Sequence, residues 1–114
     1  MQLLVSPTSN ESRLEIALTG RLDTAGVDRI EIQFNAAVVA GGREALVDLS
    51  GVELITSMGI RMLITAARAM SHRHQRLVLF GAQELVAEVL ETAAVDALIA
   101  TVASRAEALA ILGG

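Results

Sequence analysis

The chain has 114 residues, no cysteine and a formal net charge of −4; 53% of its residues are hydrophobic, and Phe34 and Phe80 are its only aromatics. That length makes one domain with a self-sufficient core. The missing thiols exclude disulfides and thiolate metal sites, and the acidic balance without stacking aromatics sets nucleic acid aside. Met1 to Asn10 has neither the basic start nor the apolar run of a signal peptide, and no apolar stretch is long enough to span a bilayer. The expected address is the cytoplasm, without direct membrane insertion.

Met1 to Val5 alternates weakly, and Pro7 with Thr8, Ser9 and Asn10 marks a turn. In Arg13 to Thr19, Leu14, Ile16 and Leu18 point one way and Arg13, Glu15, Ala17 and Thr19 the other, the pattern of a strand with one buried face. The two segments predict an opening hairpin, ended at Gly20. Asp23 or Thr24 can cap a helix running to about Ala40, since Val27, Ile30, Phe34 and Val38 recur at helical spacing before Gly41 and Gly42. Ala45 to Leu49 reads as a central strand and Ser50 to Thr56 as a loop. Met58 to Met70 follows as a second helix, then a polar break from Ser71 to Gln75 and a buried strand from Leu77 to Phe80. Gln83 to Thr92 predicts a third helix, Leu98 to Val102 a short strand and Ala106 to Leu112 a closing helix. The order β-β-α-β-α-β-α-β-α describes an α/β domain, a mixed sheet of about five strands with about four helices. Right-handed crossovers put the helices on one face or on both, a choice the pattern leaves open.

Ser57 is read as the N-cap of the second helix, its hydroxyl accepting from a first-turn N–H. Gly59 is read as keeping that turn open to an approaching backbone or phosphate. Catalysis finds little support. His72 and His74 lie at the far end of the same helix, His72 roughly 22 Å from Ser57 at about 1.5 Å per residue, so no nucleophile–base pair forms. The His-x-His spacing has no cysteine or paired carboxylate to complete a metal site, so His72, Arg73, His74 and Arg76 read as a solvated turn. No phosphate-binding glycine motif is present, and Glu84, Glu88 and Glu91 are spaced for a solvated helix face. The chain is therefore read as a binding protein, with no cofactor or metal of its own.

Three stretches carry a family resemblance: Gly20-Arg21-Leu22-Asp23, Val47-Asp48-Leu49-Ser50-Gly51-Val52 and Ile55-Thr56-Ser57-Met58-Gly59-Ile60. Their order and spacing, with the Leu77 to Gly81 strand and the Val86 to Val95 helix, resemble the STAS domain of sulfate transporters and anti-sigma factor antagonists over nearly the whole chain. The resemblance implies an anti-sigma factor antagonist bound by an anti-sigma factor, a histidine-kinase-like serine kinase, with a phosphoserine phosphatase as a further partner. It places Ser57 at the phosphorylated serine, makes Thr56 a lesser acceptor, and sets the Asp23 turn beside this loop. Asp23, Thr24, Thr56, Ser57, Met58 and Gly59 are then the partner-facing residues.

The sequence departs from the family's usual Asp-Ser-Ser-Gly-Leu at two positions, Thr56 for the aspartate and Met58 for the second serine. Those departures admit two other uses of the fold without a phosphate switch. One is a subunit docking on the ATPase of an ABC lipid transporter; the other is a scaffold subunit in stress signalling.

Overall fold

The computed structural model describes residues 1–113. β1 (Gln2–Val5) and β2 (Arg13–Leu22) form the expected antiparallel hairpin, and β3 (Glu44–Ile55), β4 (Leu77–Phe80) and β5 (Ala100–Val102) add to it in parallel, in the spatial order β1-β2-β3-β4-β5. Between them lie α1 (Thr24–Val38), α2 (Ser57–Ser71) and α3 (Glu84–Thr92) with a short 3-10 turn at Val95–Ala97; α4 (Arg105–Ile111) closes the chain. The element order is the one the periodicity predicts. Among the described residues no helix is long and apolar enough to cross a membrane.

Topology settles which face each helix takes. The parallel strands follow one another across the sheet in sequence order, so crossovers of one hand all pass over the same face. Alternate strand residues show the result. Leu14, Ile16 and Leu18 of β2, Ala45, Val47 and Leu49 of β3, and Leu77 and Leu79 of β4 join Val27, Ile30 and Phe34 of α1, Met62, Leu63 and Ala66 of α2, and Val86 and Leu90 of α3 in one core. The intervening Leu46, Val78 and Phe80 form a second, smaller cluster with Ala108 of α4. α4 does not link two strands of this sheet, and its Ala108 packs on the face opposite the crossovers.

That arrangement corrects the reading of β2 as half solvated. Glu15 is only 6% exposed, on the face that α4 shares. Its carboxylate accepts from the guanidinium of Arg105 at the start of α4 and from the Thr8 hydroxyl, while Ser9 Oγ accepts from Glu15 N–H at 2.9 Å. The Arg105 hydrogen bond holds the Glu15 carboxyl below the usual carboxylate range, against the opposing effect of burial. The ion pair ties the last helix to the second strand, and the Thr8 and Ser9 hydrogen bonds tie the first loop to the same residue.

A second correction concerns Ser50 to Thr56, expected as a loop. β3 pairs with β4 only from Ala45 to Asp48, but it continues against β2 to Ile55, through register shifts between Ala17 and Thr19 and between Gly20 and Arg21. Val52 and Ile55 keep their side chains buried along this extension. Gly51 permits the close approach: a Cβ there would stand 2.6 Å from the Thr19 methyl. The two-stranded extension carries the chain to the end of the molecule where α1 and α2 begin.

Candidate functional site

Leu22 and Ile55 are paired at the last rung of β2 and β3, and the next residue of each chain segment turns into a helix. The Asp23 and Ser57 turns are thereby brought side by side, as the family resemblance implies. Thr56 joins them directly. Its N–H donates to the Leu22 carbonyl at 3.0 Å and its hydroxyl donates to the same oxygen at 3.1 Å.

This geometry moves the cap by one residue. Thr56, extended at φ −111° and ψ 177°, is the N-cap of α2, and its carbonyl accepts the first helical bond from Ile60 N–H at 3.0 Å. Ser57 is the first helical residue and not the cap. Because the Thr56 hydroxyl is spent on Leu22, no side chain caps α2. The N–H groups of Ser57, Met58 and Gly59 have no partner within the helix, and Ser57 is exposed directly beside them. The helix dipole adds positive potential at this end.

The Gly59 expectation changes too. Gly59 is buried, and a Cβ on it would stand 2.8 Å from the Leu22 carbonyl oxygen and 3.0 Å from Ile55 Cγ1. The glycine lets the first turn of α2 sit tightly on the ends of β2 and β3; it does not hold the turn open outward. Met58 is half-buried against the main core. The outward surface of this turn is therefore Ser57, flanked by half-buried Thr56 and Met58.

On the neighbouring turn Asp23 does cap its helix. Its Oδ1 accepts from Gly26 N–H at 2.9 Å, and Thr24 is exposed as the first residue of α1. The exposed Arg21 guanidinium lies 3.7 Å from Oδ2 of the half-buried Asp23, a surface pair worth little in itself. Sequence reasoning missed Gly26. A Cβ there would be 1.9 Å from the Arg21 carbonyl oxygen, so Gly26 does for α1 what Gly59 does for α2. The signal was available: Leu22-Asp23-Thr24-Ala25-Gly26 and Ile55-Thr56-Ser57-Met58-Gly59 share one pattern, apolar residue, cap, hydroxyl, apolar residue, glycine. His72 and His74, by contrast, stay exposed just beyond the end of α2, in a turn where His74 takes a positive φ of 59°.

Comparison with known proteins agrees with this architecture. Residues 5–101 match the family described as "Mlab, STAS domain". A curated relative, BtrV of Bordetella bronchiseptica, proposed to be an anti-sigma factor antagonist, is 27% identical over 100 residues, covering 88% of this chain and 86% of its own. Among solved structures, an anti-sigma-factor antagonist (STAS) domain protein from Planctomyces limnophilus superposes with a TM-score of 0.82 at 24% identity, over 98% of both chains. The anti-sigma factor antagonist SpoIIAA in its unphosphorylated form gives 0.78 at 17% identity, over 97% of this chain and 96% of its own. SpoIIAA of Bacillus in its phosphorylated form gives 0.70 at 16% identity, over 97% and 99%. At such identities the structural likeness shows a shared fold.

Proposed function

The chain belongs to the STAS domain family, and from that premise we propose that it is an anti-sigma factor antagonist, a binding protein switched by phosphorylation of Ser57. The observation that carries this reading is the exposed Ser57 hydroxyl at the first residue of a helix whose N-terminus no side chain caps. The partner is an anti-sigma factor of the histidine-kinase-like serine kinase type, which brings its own ATP. It docks on the end of the molecule formed by Asp23, Thr24, Thr56, Ser57 and Met58, with Gly59 fixing the turn from beneath.

The partner kinase moves the γ-phosphoryl group of ATP to Ser57 Oγ, the hydroxyl proton leaves and ADP is released. The phosphate carries about −1.5 to −2 charges. It lies beside the open N–H groups of Ser57 to Gly59 and the positive end of the helix, so the fold accommodates it. The docking surface, however, changes sign. A loss of about 3 kcal/mol in binding is more than a hundredfold in affinity, enough to release the partner without any conformational change in this chain. A phosphoserine phosphatase resets the switch by hydrolysis.

A second reading has one observation in its favour. Thr56 stands where the resemblance expects a carboxylate, and its hydroxyl is tied to Leu22. Without the carboxylate the same surface suits constitutive docking on a transporter ATPase. The test is a pull-down with parent, Ser57→Ala and Ser57→Asp baits, followed by incubation of the captured ATPase with the parent chain and ATP. Capture of a histidine-kinase-like ATPase by parent and Ser57→Ala but not by Ser57→Asp, with phosphate mapping to Ser57, is the expected result. Capture of a transporter ATPase by all three baits, with no phosphate on Ser57, overturns the switch in favour of the second reading.

A further inference from the structure

β1 is the first strand of the sheet and has a neighbour on one side only. An open edge presents unpaired N–H and C=O groups, and proteins ordinarily guard it with charges, prolines or bulges in the strand. Gln2–Val5 has none of these guards, and its four-residue length is the protection it does have. It carries no charged side chain and no proline, and its register against β2 runs unbroken from Gln2 opposite Thr19 to Val5 opposite Ile16. Two of its four side chains are large, apolar and open, Leu4 at 57% and Val5 at 55% exposure.

The phase of the ladder decides which backbone groups face outward. Ser6 N–H donates to the Glu15 carbonyl at 2.7 Å. In an antiparallel pair the bonded positions alternate, so Ser6, Leu4 and Gln2 turn their backbone groups toward β2, while Leu3 and Val5 turn theirs away. A second strand laid on this edge by a two-fold axis normal to the sheet keeps like faces together, and residues then pair odd with odd and even with even. With the axis at Leu4, Leu3 faces the copy's Val5 and Val5 faces the copy's Leu3. Every outward N–H and C=O of those residues then finds a partner, and Leu4 lies against the copy's Leu4. Moving the axis to Val5 would set Pro7, which has no N–H, opposite Leu3. The exposed Val5 side chains come to rest beside Leu3 of the other copy, next to a groove bordered by Leu3, Arg29, Ile30 and Gln33.

We infer that the β1 edge is a homodimer interface, at which two copies pair antiparallel about Leu4 and join their sheets into one of ten strands. The occupant is a second copy because the edge is complementary to itself in hydrogen-bond phase and in face, and pairs no like charges. So short a strand buries less than the roughly 800 Å² per partner of a standard interface, so the dimer is a concentration-dependent one. This surface is independent of Ser57.

The chain has no cysteine, which gives a direct test. Residues directly opposite in a non-hydrogen-bonded pair have Cα atoms about 4.5 Å apart, within disulfide reach. Mild oxidation of the concentrated chain should therefore cross-link Leu4→Cys into dimers and leave Ile32→Cys, at an 86% exposed position on α1, monomeric. Sedimentation across a concentration series should show self-association of the parent. Val5→Pro removes only an outward N–H, which an edge strand tolerates, and should weaken association by about tenfold or more with the unfolding temperature kept. Leu4→Lys, which sets like charges against each other, should do the same should the proline variant fail to fold. A parent that stays monomeric at every concentration, equal cross-linking at positions 4 and 32, or undiminished association of a folded Val5→Pro would each overturn the inference.

Discussion

The two strand-to-helix turns at the end of the sheet share a design and differ in one atom's choice of partner. Both place a cap residue after the last paired rung, a hydroxyl at the first helical position and a buried glycine at the third. In the α1 turn the Asp23 carboxylate folds over its helix and accepts from Gly26 N–H. In the α2 turn the Thr56 hydroxyl points back and donates to Leu22. The first helix end is closed by its own negative charge, and the second is left with its donors and its dipole uncompensated. Geometry makes both turns; the side-chain oxygen at the cap decides which end remains available to an anion.

The comparison breaks most violently at the glycines. A methyl at Gly26 would sit 1.9 Å from a backbone oxygen, and one at Gly59 would sit 2.8 Å from another. Gly26→Ala should therefore lose about 3 kcal/mol in urea unfolding, and Gly59→Ala about 1–2 kcal/mol, each after the small gain that alanine brings to a helix. Equal losses would mean the two turns relax alike despite their different spacing. The caps come next. Asp23→Ala should lose about 1 kcal/mol, because it orphans the Gly26 N–H at a helix start. Thr56→Val should lose less, about 0.5–1 kcal/mol, because the Leu22 carbonyl keeps the backbone N–H of residue 56. A larger loss at position 56 than at position 23 would show that the hydroxyl pin holds α2 more firmly than the carboxylate holds α1.

Much of this architecture is legible in the sequence, and what is not has physical causes. Helical spacing at Val27, Ile30, Phe34 and Val38 and short apolar runs at Ala45 and Leu77 marked elements that tertiary contacts then kept. The extension of β3 was hidden because Ser50, Gly51 and Glu53 look like loop residues. They form a strand because β2 continues beside them and Gly51 admits its close approach. The cap shift has the same root. Thr56 and Ser57 are adjacent hydroxyl residues, and nothing local tells which lies outside the helix; the hydrogen bond from Thr56 N–H to Leu22, long-range in sequence, decides it. Strand alternation alone makes Glu15 solvent-facing, because its partner Arg105 lies 90 positions away. The core periodicities are local, whereas the features that shape the site are pairwise and distant.

The smallest effect is expected at Ser57, where it says most about the proposed switch. A serine that capped α2 would lose about 1 kcal/mol on truncation. The Ser57 hydroxyl has no capping task, so Ser57→Ala should stay within about 0.5 kcal/mol of the parent. Ser57→Asp puts a negative charge at the first helical position of an uncapped helix and should gain about 0.3–1 kcal/mol, a gain that shrinks with added salt. The salt dependence separates a dipole effect from a new hydrogen bond. The same carboxylate introduced beside the already neutralised end of α1, as Thr24→Asp, should gain less, because Asp23 stands next to it. If the two aspartates stabilise equally, the ends are electrostatically equivalent and the openness of α2 cannot be what suits Ser57 to a phosphate. If only Ser57→Asp gains, the site tolerates the charge within the fold, and any loss of partner affinity belongs to the interface.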